Sequence, residues 1–253
     1  MKLETGIRWA VAVVLASSLL ARAEGNAADK KDKPKPAAFQ AVDAGSFGVF
    51  VRGQRVVTET FTVQQQNGNS IIKAQLKETA GATPTNQKSD LEMGPTGELL
   101  RYEWSEAAGA SLAVFPDNEF LKERLTTSPG AKPAEQAFLL PSVTPILDNN
   151  FFVHREVLAW KYLAIAPCKD ENGHRRCEPA DFGTLVPQDR TSMSVRMELV
   201  GKEKVTIRGT ERELLRLNLT GDNFAWSLWV DDQDQFKLIR VAIPADNTEV
   251  VRD

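Results

Sequence analysis

Two histidines, His154 and His174, are the only imidazole side chains in the 253-residue sequence, so histidine-based acid–base chemistry depends on one of them. His154 has Asp148 and Glu156 close in sequence, and it can act as a general base if a pocket opens onto it. A core histidine donating to a backbone carbonyl is the simpler interpretation. The sequence has no G-x-S-x-G elbow, H-E-x-x-H helix, P-loop or dinucleotide glycine pattern. We therefore predict a protein with no catalytic residues and no cofactor.

Two cysteines, Cys168 and Cys177, enclose the short segment 169–176, which contains an Asn-Gly turn signal. In an exported protein, a close isolated pair of this kind predicts a disulfide that closes a small surface loop. The alternative interpretation makes Cys168, His174 and Cys177 metal ligands, but a tetrahedral site requires a fourth ligand. We predict the disulfide and no metal.

The acidic run from Asp231 to Asp234 is the best candidate for a calcium site, because closely spaced oxygen ligands suit a hard cation. The run lacks the glycine and the distal glutamate of a calcium-binding loop. A solvated hairpin turn explains the same residues, so no calcium site is predicted.

The N-terminal residues have the pattern of a signal peptide. Lys2 and Arg8 precede an apolar run from Trp9 to Leu20, and Ala21-Arg22-Ala23 follows as a cleavage site. The run is shorter than the roughly 20 apolar residues of a membrane-spanning helix. We predict a signal peptide over residues 1–23, cleavage after Ala23, a periplasmic or secreted location, and no stable membrane span after processing.

Residues 24–43, with a Lys/Pro-rich stretch from Lys30 to Pro36, are predicted to be a flexible linker. Residues 44–253 then fit one β-rich domain. Removing residues 1–23 changes the formal charge from −3 to −5, because 28 basic residues then stand against 33 acidic ones. A mildly acidic chain lacks the basic surface needed to bind nucleic acid, so nucleic acid is excluded as a partner.

Alternation of apolar and polar residues from Gly45 onward predicts a mainly β domain. Asn67-Gly68 between two alternating segments is a strong hairpin signal. About eight to ten strands can be counted. In the second segment the residues that share one face are Val57, Glu59, Phe61 and Val63.

One segment has helical rather than alternating spacing. We predict a helix from Leu147 to Leu163, with Asp148 or Asn149 as its N-cap. The helix should be largely buried because apolar residues surround it almost completely. The predicted fold is a curved antiparallel sheet or open barrel of about 8–10 strands, packed around one central helix.

Aromatic residues suggest where a ligand could bind. Trp226 and Trp229 must face opposite sides of a regular strand, because three residues separate them, so one belongs to the core and the other to the outer face or an edge. The simplest role of an inward ring is to fill core volume, and lining a cavity is the alternative. The residues predicted to line such a cavity are Trp104, Phe151, His154, Leu158, Tyr162, Trp226 and Trp229.

Three segments carry a family resemblance: the hairpin formed by Leu228–Asp231 and Leu238–Val241, the segment Gly48–Gly53, and Leu147–Asn150. The sequence resembles exported bacterial families of the DUF3108 type and, more loosely, lipoprotein carriers of the LolA and LolB type. The resemblance implies an open barrel whose inner face, covered by a helix, shelters an acyl chain or another apolar group.

The predicted function is a non-enzymatic periplasmic binding or chaperone-like protein for a lipid or other apolar envelope component. The alternative is a structural or assembly factor that contacts an envelope protein partner through an exposed sheet edge. An apolar hollow between sheet and helix would favour the first function, and a filled interior would favour the second.

Overall fold

The computed structural model describes residues 38–78, 86–171 and 174–253, except for the side chains of residues 171 and 174. The predicted signal peptide, residues 24–37 of the predicted linker and the Asn172-Gly173 turn lie outside the described residues. Strand β1 begins at Gln40, so the predicted linker boundary at residue 43 is wrong. The reason is that Asp43 is buried and forms an ion pair with Arg252, which holds this part of the strand in place.

Eight strands come before the helix, and each pairs antiparallel with the next along the chain. The turn between the second and third strands has positive φ at both Asn67 and Gly68, as a type I′ turn requires. The predicted hairpin is therefore confirmed. The strands are β1 (Gln40–Val51), β2 (Gln54–Gln66), β3 (Asn69–Glu78), β4 (Asn86–Met93), β5 (Leu99–Glu106), β6 (Ser111–Asp117), β7 (Phe120–Thr126) and β8 (Ala134–Phe138).

The second half of the domain continues with one helix and eight more strands. β9 and β10 form a small separate hairpin, and the other six strands form a second antiparallel series. The elements are α1 (Val153–Ile165), β9 (Cys168–Glu171), β10 (His174–Cys177), β11 (Ala180–Val186), β12 (Thr191–Ile207), β13 (Thr210–Gly221), β14 (Phe224–Asp231), β15 (Lys237–Ile243) and β16 (Thr248–Arg252).

Pairing of β1 with β16 joins the two series into one antiparallel sheet of 14 strands. The sheet runs from β11 at one edge to β8 at the other and is not closed. The predicted mainly β fold around a single helix is confirmed for the described residues. The predicted count of about eight to ten strands is too low, because strands such as β4 and β8 contain few apolar residues and were not recognised.

The helix begins at Val153, six residues after the predicted start at Leu147. The intervening residues are not helical for two reasons. Leu147 donates its backbone N–H to the carbonyl of Leu185 in β11 (2.9 Å), which keeps this segment extended. Asp148 then accepts from the backbone N–H of Asn150 (2.7 Å), which forms a turn ahead of the helix. The prediction of Asp148 or Asn149 as the N-cap is therefore wrong.

The inner face of the sheet and α1 share one apolar core. Strand residues of alternating register point toward the helix, and Leu158, Ala159 and Tyr162 on α1 are 0–1% exposed. Contacts reach the helix from both strand series, including Glu59 on β2 and Leu199 on β12. The sheet therefore curves around α1, and we call the space on its inner side the lumen.

A second, smaller apolar cluster lies on the outer face of the sheet. β12 has a bulge at Gly201, where φ is +138°, and the end of the β12–β13 hairpin beyond the bulge covers part of this face. Trp229 is 5% exposed at its centre and lies under the guanidinium of Arg240, 4.7 Å from the ring centroid. The buried members of this outer cluster are Val205, Ile207, Leu214, Trp229, Ile239 and Val251.

Candidate functional site

The start of α1 is held by a carboxylate from a strand. Glu59 on β2 accepts the backbone N–H groups of Phe152 (2.7 Å) and Val153 (3.1 Å). These amides have no partner within the helix, so a carboxylate at this place acts as a cap supplied by another element. Burial raises the pKa of Glu59 to about 7, against the effect of these two hydrogen bonds, which lower it.

Asp148 organises the polar residues beside the helix start. One carboxylate oxygen accepts from the amides of Asn150 and Phe151, and the other accepts from the Tyr102 hydroxyl and from Gln188 Nε2 (2.7 Å). Burial and the neighbouring Asp148 charge raise the pKa of Tyr102 well above its usual value. The phenol therefore stays protonated and donates a hydrogen bond to Asp148. This arrangement positions side chains from β5 and from the turn after β11.

Arg155 is 1% exposed and fully inside the core. Its guanidinium donates to the backbone carbonyls of Asp148 and Phe151, and it stacks 5.0 Å from the ring centroid of Trp226. Burial lowers the pKa of Arg155 to about 10, which still leaves it charged at neutral pH. The residue ties the helix to the turn before it.

His154 is buried against Ser89, with 3.2 Å between its Nε2 and the serine Oγ. Burial lowers the pKa of His154 to about 4, so the ring is neutral near pH 7 and is a weak base there. The adjoining space is about 20 Å³, enough for about one water molecule. The space beside the His154 ring is therefore too small for a substrate.

Glu156, two residues after His154 on α1, connects the helix to the series of strands from β11 to β16. Its carboxylate accepts the backbone N–H of Leu238 (2.9 Å) and lies 3.4 Å from Arg252, which also binds Asp43 (2.6 Å). Burial raises the pKa of Glu156 to about 8, and the charge of Arg252 opposes this rise. Two carboxylates therefore hold α1 in the lumen: Glu59 binds the start of the helix, and Glu156 on the helix binds β15.

The residues predicted to line a ligand cavity divide into two groups. Six of them contribute to the lumen, where they pack against one another and against the helix: Trp104, Phe151, His154, Leu158, Tyr162 and Trp226. Trp229 lies on the opposite face, in the outer cluster, as its three-residue separation from Trp226 requires. These six residues thus pack into or against the core, and Trp104 also borders an open space on the other side of the sheet.

A wide open space lies on the outside of the sheet. It is a groove of about 700 Å³ that crosses β2 to β7, and we call it the outer groove. Residues 73, 75, 88 and 103 are exposed while their neighbours 74, 76, 89 and 91 are buried, so the polar side chains of these strands face outward. The hydroxyl-bearing residues of the outer groove are Thr60, Thr62, Ser105, Ser111 and Thr126.

Charged residues of both signs stand in the outer groove. Ion pairs join Lys73 to Asp90 (3.3 Å) across β3 and β4, and Arg124 to Glu135 (2.8 Å) across β7 and β8. Lys88 makes no ion pair with any described residue. Because it is exposed and projects from the middle of the outer face, it is available to a ligand.

The remaining predicted groups have structural partners. Cys168 and Cys177 form the predicted disulfide and stand opposite each other in β9 and β10. In the acidic run, Asp231 pairs with Arg212, and Asp232 pairs with Lys202. No three His, Cys, Asp or Glu side chains come together as metal ligands would in the described part of the chain.

Sequence reasoning did not identify the outer groove or the capping role of Glu59. A signal for Glu59 was present, because this carboxylate shares an inward face with Phe61 and Val63, and a buried charge needs hydrogen-bond partners. No local signal marks the groove, which depends on the curvature of six strands.

Comparison of the chain with protein-family models, with curated proteins and with solved structures finds no match. Among the described residues, no helix combines the length and the apolar character needed to cross a membrane.

Proposed function

We propose that the protein is a non-enzymatic binding or assembly protein that acts, after export, through its outer surface. The observation that carries the proposal is the difference between two spaces. About 20 Å³ is open beside the helix, whereas about 700 Å³ is open in the outer groove. Ligand sites in proteins usually measure about 300–1,000 Å³, so the outer groove has a suitable size and the space beside His154 and Leu158 does not.

A lipid carrier, the function first predicted from the sequence, would need α1 to leave the lumen. Glu59 and Glu156 both oppose such a movement, because Glu59 accepts two buried backbone amides and Glu156 accepts one, and these amides would lose their partners. Leu158 and Tyr162 would also expose apolar surface that is now buried. The geometry therefore supports binding on the outside of the sheet better than binding inside it.

Photo-crosslinking in the producing cell tests the proposal. A photo-reactive amino acid is placed at Gln75, in the outer groove, and at Lys204, which is exposed on the distant β12–β13 hairpin. We expect an adduct from position 75 that excess unlabelled protein suppresses, and none from position 204. Native mass spectrometry of the purified protein should find no bound lipid. A co-purifying acyl lipid, or adducts from position 204 but not 75, would contradict the proposal.

The edge strand β8 favours a second mode of contact. β8 pairs with β7 on one side and forms one edge of the sheet, and Leu139, which follows it, is 75% exposed. An extended segment of a partner protein can add to such an edge through backbone hydrogen bonds. A crosslinker at Leu139 separates the two modes, because edge pairing predicts an adduct there and groove binding does not.

A further inference from the structure

We infer that the outer groove binds an oligosaccharide chain that carries a negative charge, with this charge placed next to Lys88. The inference rests on the proposed function and names the ligand class of the same site. Hydrogen-bonding groups, the shape of the groove and one unpaired cation support it independently.

Hydrogen-bonding groups make up about half of the lining of the outer groove. Its outward side chains include five hydroxyls, among them Ser105 and Ser111, together with the amide of Gln75 and the carboxylates of Asp90 and Glu103. Hydroxyls and amides both donate and accept, as the hydroxyls of a sugar do. A sugar chain can therefore exchange its bonds to water for bonds to the groove along its whole length.

The shape of the groove suits a chain rather than a compact molecule. Its outward side chains form two rows of cross-strand partners that run from β2 to β7. One row is Thr60, Gln75, Lys88, Ser105, Ser111 and Thr126, and the other is Thr62, Lys73, Asp90, Glu103, Ala113 and Arg124. Neighbouring strands are about 4.8 Å apart, so the groove extends about 24 Å from β2 to β7. This length accommodates several sugar rings in a row.

The pattern of ion pairs selects a charged sugar chain. Asp90 is neutralised by Lys73, Glu103 by Arg101 (2.9 Å) and Arg124 by Glu135, which leaves the charge of Lys88 uncompensated by any described residue. A carboxylate or other anion on the ligand would complete this pair, and a charge-assisted hydrogen bond is stronger than a neutral one. A single unpaired cation fits an acidic sugar better than it fits nucleic acid, which requires many.

Binding of defined tetrasaccharides to the purified chain tests the inference. Titration calorimetry with tetragalacturonate, its fully methyl-esterified form and chitotetraose compares acidic with neutral chains. We expect tetragalacturonate to bind at least tenfold more tightly than its neutral ester. Lys88→Ala should reduce its affinity to that of the ester. Ala113→Trp, which places a bulky ring inside the groove, should abolish binding of both.

Lys77→Ala is the matched control, because Lys77 is exposed on the same face of β3 but does not line the outer groove. It should bind like the unmodified protein. The inference is overturned if none of the three tetrasaccharides binds, or if Lys77→Ala weakens binding as much as Lys88→Ala. A protein adduct from the crosslinker at Gln75, with no tetrasaccharide binding, would leave the proposed function standing and this inference refuted.

Discussion

Glu59 occupies an inward position that a strand normally gives to an apolar side chain. It is 0% exposed, and its partners are the first amides of α1. A carboxylate here costs desolvation, which the two amide bonds partly offset. Its structural effect is to join β2 to the helix start, so that an element distant in sequence sets where α1 begins.

Replacing Glu59 by Ala should lower the free energy of unfolding by about 2 kcal/mol, because two buried amides lose their acceptor. Glu59→Gln keeps a carbonyl oxygen near those amides and should lose less than half as much. Urea denaturation of the two variants measures the difference. Equal stability of both variants and the unmodified protein would show that the cap contributes nothing.

The buried titratable groups give the protein a defined pH dependence. The pKa of Glu156 is about 8 and that of Glu59 about 7, so the folded chain holds protons that the unfolded chain releases above about pH 4.5. The stability from these groups is full below that pH and is lost as pH rises through 7 and 8. His154, with a pKa of about 4, acts oppositely: its contribution is full above about pH 6.5 and is lost as pH falls through 4.

Between pH 6.5 and 8.5 the two carboxylates therefore dominate, and the free energy of unfolding should fall as pH rises. Glu156→Gln cannot ionise and should flatten this fall, whereas Glu211→Gln, at an exposed position on β13, should keep it. Urea denaturation at both pH values measures the slopes. A slope unchanged by Glu156→Gln would refute the assignment.

At this scale the sequence predicts contacts between near neighbours better than contacts between distant residues. The pairing of Cys168 with Cys177, predicted from their close spacing, is correct. The sequence shows that His154 is close to Asp148 along the chain. It does not show the contact between His154 Nε2 and Ser89 Oγ (3.2 Å), because that contact depends on how α1 packs against β4.

Single backbone positions decide the course of whole elements. Gly201 has φ of +138° at the bulge where the β12–β13 hairpin turns over the outer cluster, and side chains rarely adopt this conformation. Gly201→Ala should therefore lower the free energy of unfolding by about 1–2 kcal/mol through backbone strain. A thermal melt of this variant, compared with the unmodified protein, measures the loss.

Gly183→Ala on β11 is the control for this change. No atom lies within 4 Å of the position where its Cβ would be, and its φ is not in the positive range. It should leave the melting temperature unchanged or raise it slightly, since alanine has fewer unfolded conformations than glycine. A similar loss at both positions would mean that strain at the bulge is not the cause.

The helix shows why its start could not be read from the sequence. Helical spacing of the apolar residues favours a start near Leu147, yet residues 145–147 pair with β11 and Asp148 accepts from the turn that follows. Strand pairing with a distant segment overrides the local pattern. The apolar stripe of Phe151, Leu158 and Tyr162 predicts burial correctly, because all three are at most 1% exposed.

For the molecule as a whole, a filled lumen makes a measurable prediction. Leu158→Ala should lower the free energy of unfolding by about 3 kcal/mol, because a cavity would remain next to the helix. Leu139→Ala, at a position that is 75% exposed, should change it by less than about 0.5 kcal/mol. Equal effects in urea denaturation would indicate that the space around α1 is already loosely packed.

The overall architecture was accessible from the sequence because period-two burial is a local property of each strand. The number of strands was not, since polar strands such as β4 show few apolar residues. The outer groove was also inaccessible, because its lining comes from six strands whose relative curvature no single segment encodes.

The pairing of β1 with β16 has a consequence for the order of assembly. Every other pairing in the 14-stranded sheet joins strands that follow each other along the chain. The series β1 to β8 and the series β11 to β16 can therefore each form by successive addition of neighbouring strands. One edge of β1 stays unpaired until β16, more than 190 residues later in the chain, can pair with it. The β1–β16 pairing forms last and has a large loop-entropy cost. We therefore expect a slow folding phase, and any misassembled intermediate, to arise at this pairing.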